Sequence, residues 1–168
     1  MAIAFARVKY HSRSQGQSAV ACAAYRSGEK IQDDRTGITY NYLHKDEVIH
    51  KEILLPVGSN AKYSDRKTLW NTVEINETRK NSQVAKEIIL ALPNNPELDD
   101  QDRINLAKIF ANKYFIANNI VADICIHNKN NNPHAHILLT TRRLAGDKFS
   151  RTKARDLDPE IKFKKVQE

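Results

Sequence analysis

The sequence predicts an α+β fold, with a mainly antiparallel sheet and helices packed on one side of it. Two observations support this class. Residues 120–126 and 137–141 alternate with period two and are rich in β-branched side chains, and the Asn-rich stretch with Pro133 between them has turn chemistry. The pair therefore reads as a β-hairpin. Stretches with helical spacing lie between the other strand-like runs.

The other predicted elements alternate between strands and helices. In chain order they are a strand at residues 2–8, a helix at 17–30, short strands at 38–42 and 51–55, a helix at 64–80 with Ser64 as its cap, a strand at 83–92 and a helix at 98–118. The hairpin completes the order. Beyond Arg143 the periodicity is lost.

The predicted hairpin carries three histidines. His127 ends its first strand, and His134 and His136 begin its second strand two residues apart, so the last two share one face. Three neutral imidazoles can bind a divalent ion and leave its double charge available to an anionic ligand such as a phosphodiester. A His-x-His pattern also occurs in ordinary strands and in zinc sites. We favour a metal site, because a third histidine lies across the turn.

The helix at residues 17–30 carries a candidate nucleophile. Ala19, Val20, Ala23 and Ala24 form its packing stripe, whereas Tyr25 lies on a different face. On the helix alone, Tyr25 reads as an aromatic residue at the edge of a core. Its cationic neighbours Arg13, Arg26 and Lys30 would supply the electropositive setting that a phosphate-attacking phenolate requires.

Glu87 is a candidate for assisting such a site. In the predicted strand 83–92, Lys86 and Glu87 point to opposite faces, and the pattern does not decide which of them faces the site. Glu87 is either a strand-edge carboxylate paired with a lysine or a group beside the imidazoles. In the second case it would orient one imidazole or take the proton of the tyrosine.

Composition points to one globular domain with a polyanionic partner. The chain has 168 residues, 40% hydrophobic and 28% charged, and a formal net charge of +7. The charge is segregated: residues 1–30 carry five basic residues and one acidic residue, and residues 142–168 carry nine basic and five acidic ones. A basic surface built by both ends of the chain favours a path for nucleic acid over uniform lysine decoration.

Three separate stretches resemble a known family. Ser14-Gln15-Gly16-Gln17-Ser18-Ala19 with Ala24-Tyr25-Arg26-Ser27-Gly28, then Asn81-Ser82-Gln83-Val84-Ala85-Lys86-Glu87, then Asn132-Pro133-His134-Ala135-His136 are similar to the MobA/MobL family of DNA relaxases, especially the amino-terminal domain of TraA-type transfer proteins. The resemblance covers most of residues 1–143, in the family's order. It implies an RRM-like palm with a His-x-His metal site, the HUH motif.

The resemblance also implies a reaction. Tyr25 would be the nucleophile, Glu87 would assist, and His127, His134 and His136 would bind the metal. The enzyme would nick one strand at a plasmid transfer origin, form a 5′-phosphotyrosyl intermediate and later reseal it, acting as a strand-specific endonuclease in conjugation and plasmid mobilization. The implied partners are single-stranded DNA and accessory relaxosome proteins. From the segregated charge we expect the DNA to be contacted by Arg13, Arg26, Lys30, Arg142 and Arg143.

The implied cofactor is a divalent metal ion. Imidazole ligation favours Mn²⁺, Co²⁺, Ni²⁺ or Zn²⁺ over Mg²⁺, whereas availability in the cell favours Mn²⁺ or Mg²⁺. We therefore expect Mn²⁺ or Mg²⁺ as the working ion.

Two other functions remain open. A rolling-circle replication initiator would use a similar histidine pair and tyrosine, but its tyrosine typically follows the histidines, whereas Tyr25 precedes His127 by 102 residues. A non-enzymatic basic DNA-binding module with a structural zinc is the second, although three histidines leave the fourth zinc position open.

The organisation of the chain follows from the same patterns. We expect a relaxase domain at residues 1–143 and a basic carboxy-terminal segment at 144–168, which is either mobile or a helix whose partner is missing. There is no apolar run long enough to span a membrane, and Arg7 and Lys9 interrupt the start, so we expect a cytoplasmic protein. Cys22 and Cys125 lie among small or apolar residues and are expected to be reduced, buried thiols.

Overall fold

The structure is a computed structural model that describes residues 5–158. Its centre is a five-stranded antiparallel sheet with strand order β1-β5-β7-β6-β4. Two small two-stranded ladders, β2-β3 and β8-β9, accompany it. The strands are β1 (Phe5–Ser12), β2 (Lys30–Gln32), β3 (Thr39–Asn41), β4 (Val48–Leu54), β5 (Gln83–Ala91), β6 (Ala122–Lys129), β7 (Asn132–Leu139), β8 (Leu144–Ala145) and β9 (Lys148–Phe149). The helices are α1 (Ala19–Ser27), α2 (Arg66–Asn76) and α3 (Asp100–Tyr114).

The predicted hairpin is confirmed as β6 and β7. A two-residue loop joins the strands, and its residues Asn130 and Asn131 have φ of 56° and 55°. Positive φ at both central positions is what a type I′ turn requires, and asparagine adopts it more readily than most residues. This turn sets the register that places His127 directly opposite His134.

The α+β class is confirmed, but the helices lie on both faces of the sheet and not on one side. Ala107 and Ala111 of α3 pack in one core with Ile137 of β7. Leu138, on the opposite face of β7, packs in a second core with residues of α1 and α2. Because β6 is covered on both faces, residues 122–126 are all buried. The period-two pattern read there reflects β-branched residue choice and not a solvated face.

Helix α1 packs as the sequence predicts, over a shorter span. The stripe of Ala19, Val20, Ala23 and Ala24 is at most 1% exposed. At its start the Ser18 side chain accepts from the Ala21 N–H, and the buried Glu74 carboxylate accepts from the Ala19 N–H at 2.6 Å. At its end Gly28 adopts φ of 67°, which stops the helix near residue 27. The extension to residue 30 was therefore wrong.

Helix α2 begins later than predicted, because a turn of 3₁₀ helix precedes it. Ser64 ends that turn, Ala61–Ser64, and the capping side chain is Asp65, which accepts from the Thr68 N–H at 3.0 Å. Helix α3 starts with a capping box between Asp99 and Asp102. Both helices are shorter than the predicted ranges because caps, and not the end of apolar spacing, determine their ends.

The carboxy-terminal segment packs on the domain as far as the structure describes it. Leu144, Ala154 and Leu157 are buried, and the last two join the core under α3. Arg143 pairs with Asp156, at 2.7 Å. Residues 144–158 form short loops with isolated anchors, which carry no periodicity for a pattern to detect. Residues 159–168, and residues 2–4 of the first predicted strand, lie outside the described residues.

Two smaller expectations concern cysteines and membranes. Cys22 and Cys125 are both free thiols, with Cys125 buried and Cys22 partly exposed. Among residues 5–158, no helix combines the length and the apolar character needed to cross a membrane.

Candidate active site

The three histidines lie on the face of the sheet that α1 and α2 cover. His127 pairs with His134, and His136 is two residues further along β7, so all three side chains point to the same face. The ring centroids of His127 and His136 are 4.5 Å apart. Together with Glu47 they line an open cavity of about 430 Å³, which we call the histidine pocket.

Hydrogen bonds to backbone carbonyls orient two of the imidazoles. His127 Nε2 lies 2.6 Å from the Arg26 carbonyl oxygen, and His134 Nδ1 lies 2.9 Å from the Asn132 carbonyl oxygen. Because a carbonyl only accepts, each of these nitrogens carries the proton, and the other ring nitrogen has a free lone pair. His136 Nδ1 is buried with no hydrogen-bond partner among residues 5–158. One nitrogen of each ring is thus available to a ligand.

The environment keeps the pocket's inner imidazoles neutral. Burial, followed by the neighbouring His127 and the Arg26 cation, lowers the pKa of His136 to about 3. Burial also lowers the pKa of His127, although the hydrogen bond with the Arg26 carbonyl opposes it. Neutral imidazole is the form that binds metals, so these two histidines are in the ligating form at neutral pH.

Tyr25 lies in the last turn of α1, beside the histidine pocket. The next residue, Arg26, supplies the carbonyl that His127 contacts, so the end of α1 and the end of β6 are joined by a direct hydrogen bond. Tyr25 is 44% exposed, unlike the stripe residues on the other side of the same helix. Its ring is therefore accessible to a large substrate, and the backbone of the next residue contacts His127.

Lys45 fixes the position of Tyr25 and was missed by sequence reasoning. Its ammonium lies 3.6 Å from the centroid of the Tyr25 ring and donates to the Tyr25 carbonyl at 2.8 Å. It also pairs with Glu47 of the histidine pocket, at 3.6 Å. Lys45 lies in the loop between β3 and β4, where a single lysine among polar residues gives no periodic signal.

Glu87 faces the site, and its carboxylate is bound by the Arg26 guanidinium. Two bonds join them, from Arg26 Nε at 2.6 Å and from Arg26 Nη2 at 3.0 Å, and the carboxylate is fully buried. On β1, His11 Nε2 lies 3.8 Å from the same carboxylate. Lys86 points the other way and pairs with Asp158. The structure therefore decides which of the two neighbours faces the site.

These contacts shift two pKa values in opposite directions. Burial alone would raise the pKa of Glu87, but His11 and Arg26 override it and hold the pKa at about 2. The Cys22 thiol and Glu87 raise the pKa of His11 to about 9, against the effect of burial. At neutral pH the group is therefore a buried carboxylate between two cations. His11 was also missed by sequence reasoning, since a lone histidine in a strand carries no spacing signal.

The three histidines are suitable metal ligands in type and protonation, but they are not close enough together to hold an ion. The three histidines share one face, two of them are held neutral, and each has a nitrogen to offer. Within residues 5–158, however, no group of three or more His, Cys, Asp or Glu side chains is close enough together to hold an ion. His127 turns its Nε2 toward Arg26, which leaves its Nδ1 for a ligand.

Four of the five predicted DNA contacts are engaged within the protein. Arg26 binds Glu87, Arg13 binds Glu74 at 2.7 Å, and Arg143 binds Asp156. Arg142 binds the buried Glu77 at 2.7 Å. Lys30 is exposed on β2. The predicted residues thus lie in two groups, one near Tyr25 and one at the other end of the sheet.

Comparison with known proteins finds relatives that are named for mobilization and conjugal transfer. The chain belongs to the MobA/MobL family, whose family model matches residues 17–167. It is 36% identical over 146 residues to the probable mobilization protein MobA of Bifidobacterium longum (strain NCC 2705), covering 86% of this chain and 26% of that protein. It is 34% identical over 189 residues to the mobilization protein MobL of Acidithiobacillus ferridurans, covering 95% of this chain and 48% of that one.

Two further comparisons agree. The conjugal transfer protein TraA of Agrobacterium fabrum (strain C58 / ATCC 33970) is 33% identical over 163 residues, covering 91% of this chain and 15% of TraA. A solved structure described as "Molecular Basis of Vancomycin Resistance Transfer in Staphylococcus aureus" superposes with a TM-score of 0.86 at 38% identity, covering 97% of this chain and 86% of that one. The chain spans less than half the length of these three sequence relatives.

Proposed function

We propose that the chain is a conjugative DNA relaxase that nicks one strand at a transfer origin, with Tyr25 as the nucleophile. The observation that carries the proposal is the hydrogen bond between His127 and the carbonyl of Arg26, which joins the residue after an exposed tyrosine to a hairpin with three histidines on one face. Membership of the MobA/MobL family supports it, because relatives are named for mobilization and conjugal transfer.

The reaction is a transesterification. The Tyr25 oxygen attacks the scissile phosphorus, a new O–P bond forms, and the bond from phosphorus to the 3′ oxygen breaks. The phenol loses its proton and the 3′ oxygen gains one, giving a 5′-phosphotyrosyl bond and a free 3′ hydroxyl. Because one phosphate ester bond is exchanged for another, attack by the 3′ hydroxyl reverses the reaction and reseals the strand without ATP.

Cations beside Tyr25 favour the charge that this attack develops. Ionising an ordinary tyrosine, with a pKa of about 10, costs about 4 kcal/mol at pH 7. Lys45 lies 3.6 Å from the ring centroid and the Arg26 guanidinium carbon lies 5.0 Å from it. Both charges attract the phosphodiester and lie close to where the attack develops negative charge.

Glu87 acts in this proposal as a positioning residue and not as the base. With a pKa of about 2 and both oxygens bound by Arg26, it has little affinity for a proton at neutral pH. Its role is to hold Arg26, whose carbonyl orients His127 and whose guanidinium lies by Tyr25. His11 completes the support from β1.

A divalent ion, Mn²⁺ or Mg²⁺, is the proposed cofactor, and His127, His134 and His136 would hold it. When bound, such an ion neutralises charge on the non-bridging oxygens of the scissile phosphate. The chain's own residues keep two of these imidazoles neutral by burial and by nearby cations. Glu47, which also lines the histidine pocket, is a further oxygen donor within reach of the same cavity.

The test is covalent capture of DNA. The protein is mixed with Mn²⁺ and single-stranded DNA covering a transfer origin, denatured, and examined for a protein–DNA adduct. Wild-type protein is expected to form the adduct, whereas Tyr25→Phe, which keeps the ring and removes only the hydroxyl, is expected to form none. Tyr114→Phe, a partly exposed tyrosine on α3, is the matched control and should react like the wild type. Equal adduct from Tyr25→Phe would refute Tyr25 as the nucleophile.

A further inference from the structure

A second cavity lies at the end of the sheet opposite to the histidine pocket. It has a volume of about 570 Å³ and is bounded by the end of α2, the loop before β5 and the segment after β7. We call it the basic pocket, because five cations and one carboxylate line it: Arg79, Arg142, Arg151, Lys153, Arg155 and Glu77. Its other lining residues are polar and uncharged, and none is aromatic.

The single carboxylate of the basic pocket is already saturated. Glu77 is 3% exposed and accepts from Arg142 Nε at 2.7 Å and from Lys153 Nζ at 2.8 Å. From the other side, Arg13 donates to the Glu77 backbone carbonyl. Glu77 thus anchors Arg142 and Lys153 and has no capacity to neutralise the remaining three cations.

Those three cations are free in the described structure. Within residues 5–158, the guanidinium groups of Arg79, Arg151 and Arg155 take part in no hydrogen bond or ion pair, and all three residues are exposed. The crowding affects Lys153, whose pKa is lowered by burial and by the Arg142 and Arg155 cations, in spite of Glu77. The pocket therefore has an uncompensated positive charge on a preformed concave surface.

Strand β5 runs from the basic pocket to the histidine pocket. Gln83 at the start of β5 lines the basic pocket, and Ile89 on the same strand pairs with His136. Six residues of extended strand span about 20 Å. The two pockets are therefore far enough apart to contact different phosphates of one DNA strand.

We propose that the basic pocket binds phosphate groups of the DNA backbone, about 20 Å along β5 from the histidine pocket. The proposal rests on the proposed function for its choice of DNA. Free guanidinium groups suit phosphate oxygens, which they bind through paired N–H donors. With no aromatic side chain in the lining, the site offers no surface on which a base could stack, so it reads backbone and not sequence.

The salt dependence of DNA binding tests the proposal without any cleavage. The logarithm of the binding constant falls with the logarithm of salt concentration by about 0.7 to 0.9 for each phosphate contact. The intact chain is titrated with a fluorescein-labelled oligodeoxythymidine and with a labelled duplex of the same length, at several KCl concentrations. The variant Arg151→Gln/Arg155→Gln is compared with Lys67→Gln/Lys113→Gln, which removes the same charge from exposed sites on α2 and α3.

Every outcome of this experiment either supports or refutes the basic pocket as a phosphate site. A slope that is smaller in magnitude by about 1.4 to 1.8 for Arg151→Gln/Arg155→Gln, and unchanged for the control, supports the pocket. An effect on one probe alone identifies whether single-stranded or duplex DNA occupies it. Equal slopes for the two double variants on both probes would overturn the proposal. Since no step uses Tyr25, a protein that forms adducts but shows equal slopes refutes only the pocket, and one with the slope effect but no adduct refutes only the relaxase.

Discussion

The two ends of the central sheet each have a buried glutamate that binds cations, but they differ in how the surrounding cations are paired. The end near the histidines is balanced in the sense that its buried cations have carboxylate partners: Arg26 and His11 contact Glu87, and Lys45 contacts Glu47. Glu77, at the far end, binds two cations and leaves three more without a partner in the described chain. Balanced charge suits a reaction centre whose groups must stay neutral. Excess charge suits a surface that holds a polyanion.

Replacing the glutamate of the balanced end should have the largest effect. Glu87→Gln leaves the buried His11 and the largely buried Arg26 without a counter-charge, and we expect it to lower the free energy of unfolding by about 3–5 kcal/mol. Urea denaturation at pH 7 measures it. Glu97→Gln makes the same chemical change at an exposed site and should cost less than about 0.5 kcal/mol. A Glu87→Gln protein as stable as Glu97→Gln would mean that this end is not charge-balanced.

The pH dependence of stability should identify His11 as part of that balance. Its folded pKa of about 9 lies above the ordinary 6.5, so its contribution is fully present below pH 6.5 and is lost as pH rises through 9. The loss is at most about 3 kcal/mol. Denaturation of the wild type and of His11→Gln at pH 6 and pH 9.5 measures it, and the variant should lose the step. An equal decline in both proteins would assign it to another group.

The smallest expected effect concerns the lysine beside Tyr25. Lys45→Met keeps the length of the side chain and removes the charge over the ring, and a cation over an aromatic ring contributes about 0.5–2 kcal/mol. We therefore expect the single-turnover rate of adduct formation to fall about 2- to 30-fold. Lys45→Arg should restore much of it. Lys113→Met removes a similar cation, 5.4 Å from the Tyr114 ring, and serves as the control. If Lys45→Met reacts as fast as this control, the charge of Lys45 does not contribute to the reaction.

Periodic features of the chain were predictable and isolated ones were not. The hairpin, the packing stripe of α1 and the opposite directions of Lys86 and Glu87 follow from spacing, and all three are confirmed. Lys45 and His11 reach the site from a loop and from a strand distant in sequence, so only tertiary structure brings them there. The same reason explains why helices on both faces were missed: apolar strand residues look alike whichever helix covers them.

The sequence also could not show which arginine side chains are free of partners within the protein. Arg13, Arg142 and Arg143 were predicted to bind DNA because they are cations at the ends of the chain, yet carboxylates within the protein hold all three. Arg79, Arg151 and Arg155, whose guanidinium groups have no partner among the described residues, were not singled out. Pairing depends on where buried glutamates lie, and a count of charges along the chain carries no information on that.

The two-residue turn of the β6–β7 hairpin limits how its sequence can change. Inserting one residue beside Asn130 or Asn131 would turn every side chain of β7 to the opposite face. His134 and His136 would then enter the apolar layer under α3, and Ala135 and Ile137 would take their places. Surface loops usually tolerate changes of length better than the elements they join. In this loop, substitution by another residue that accepts positive φ, such as glycine or aspartate, is tolerable, whereas a single insertion or deletion is as damaging as a change in the core.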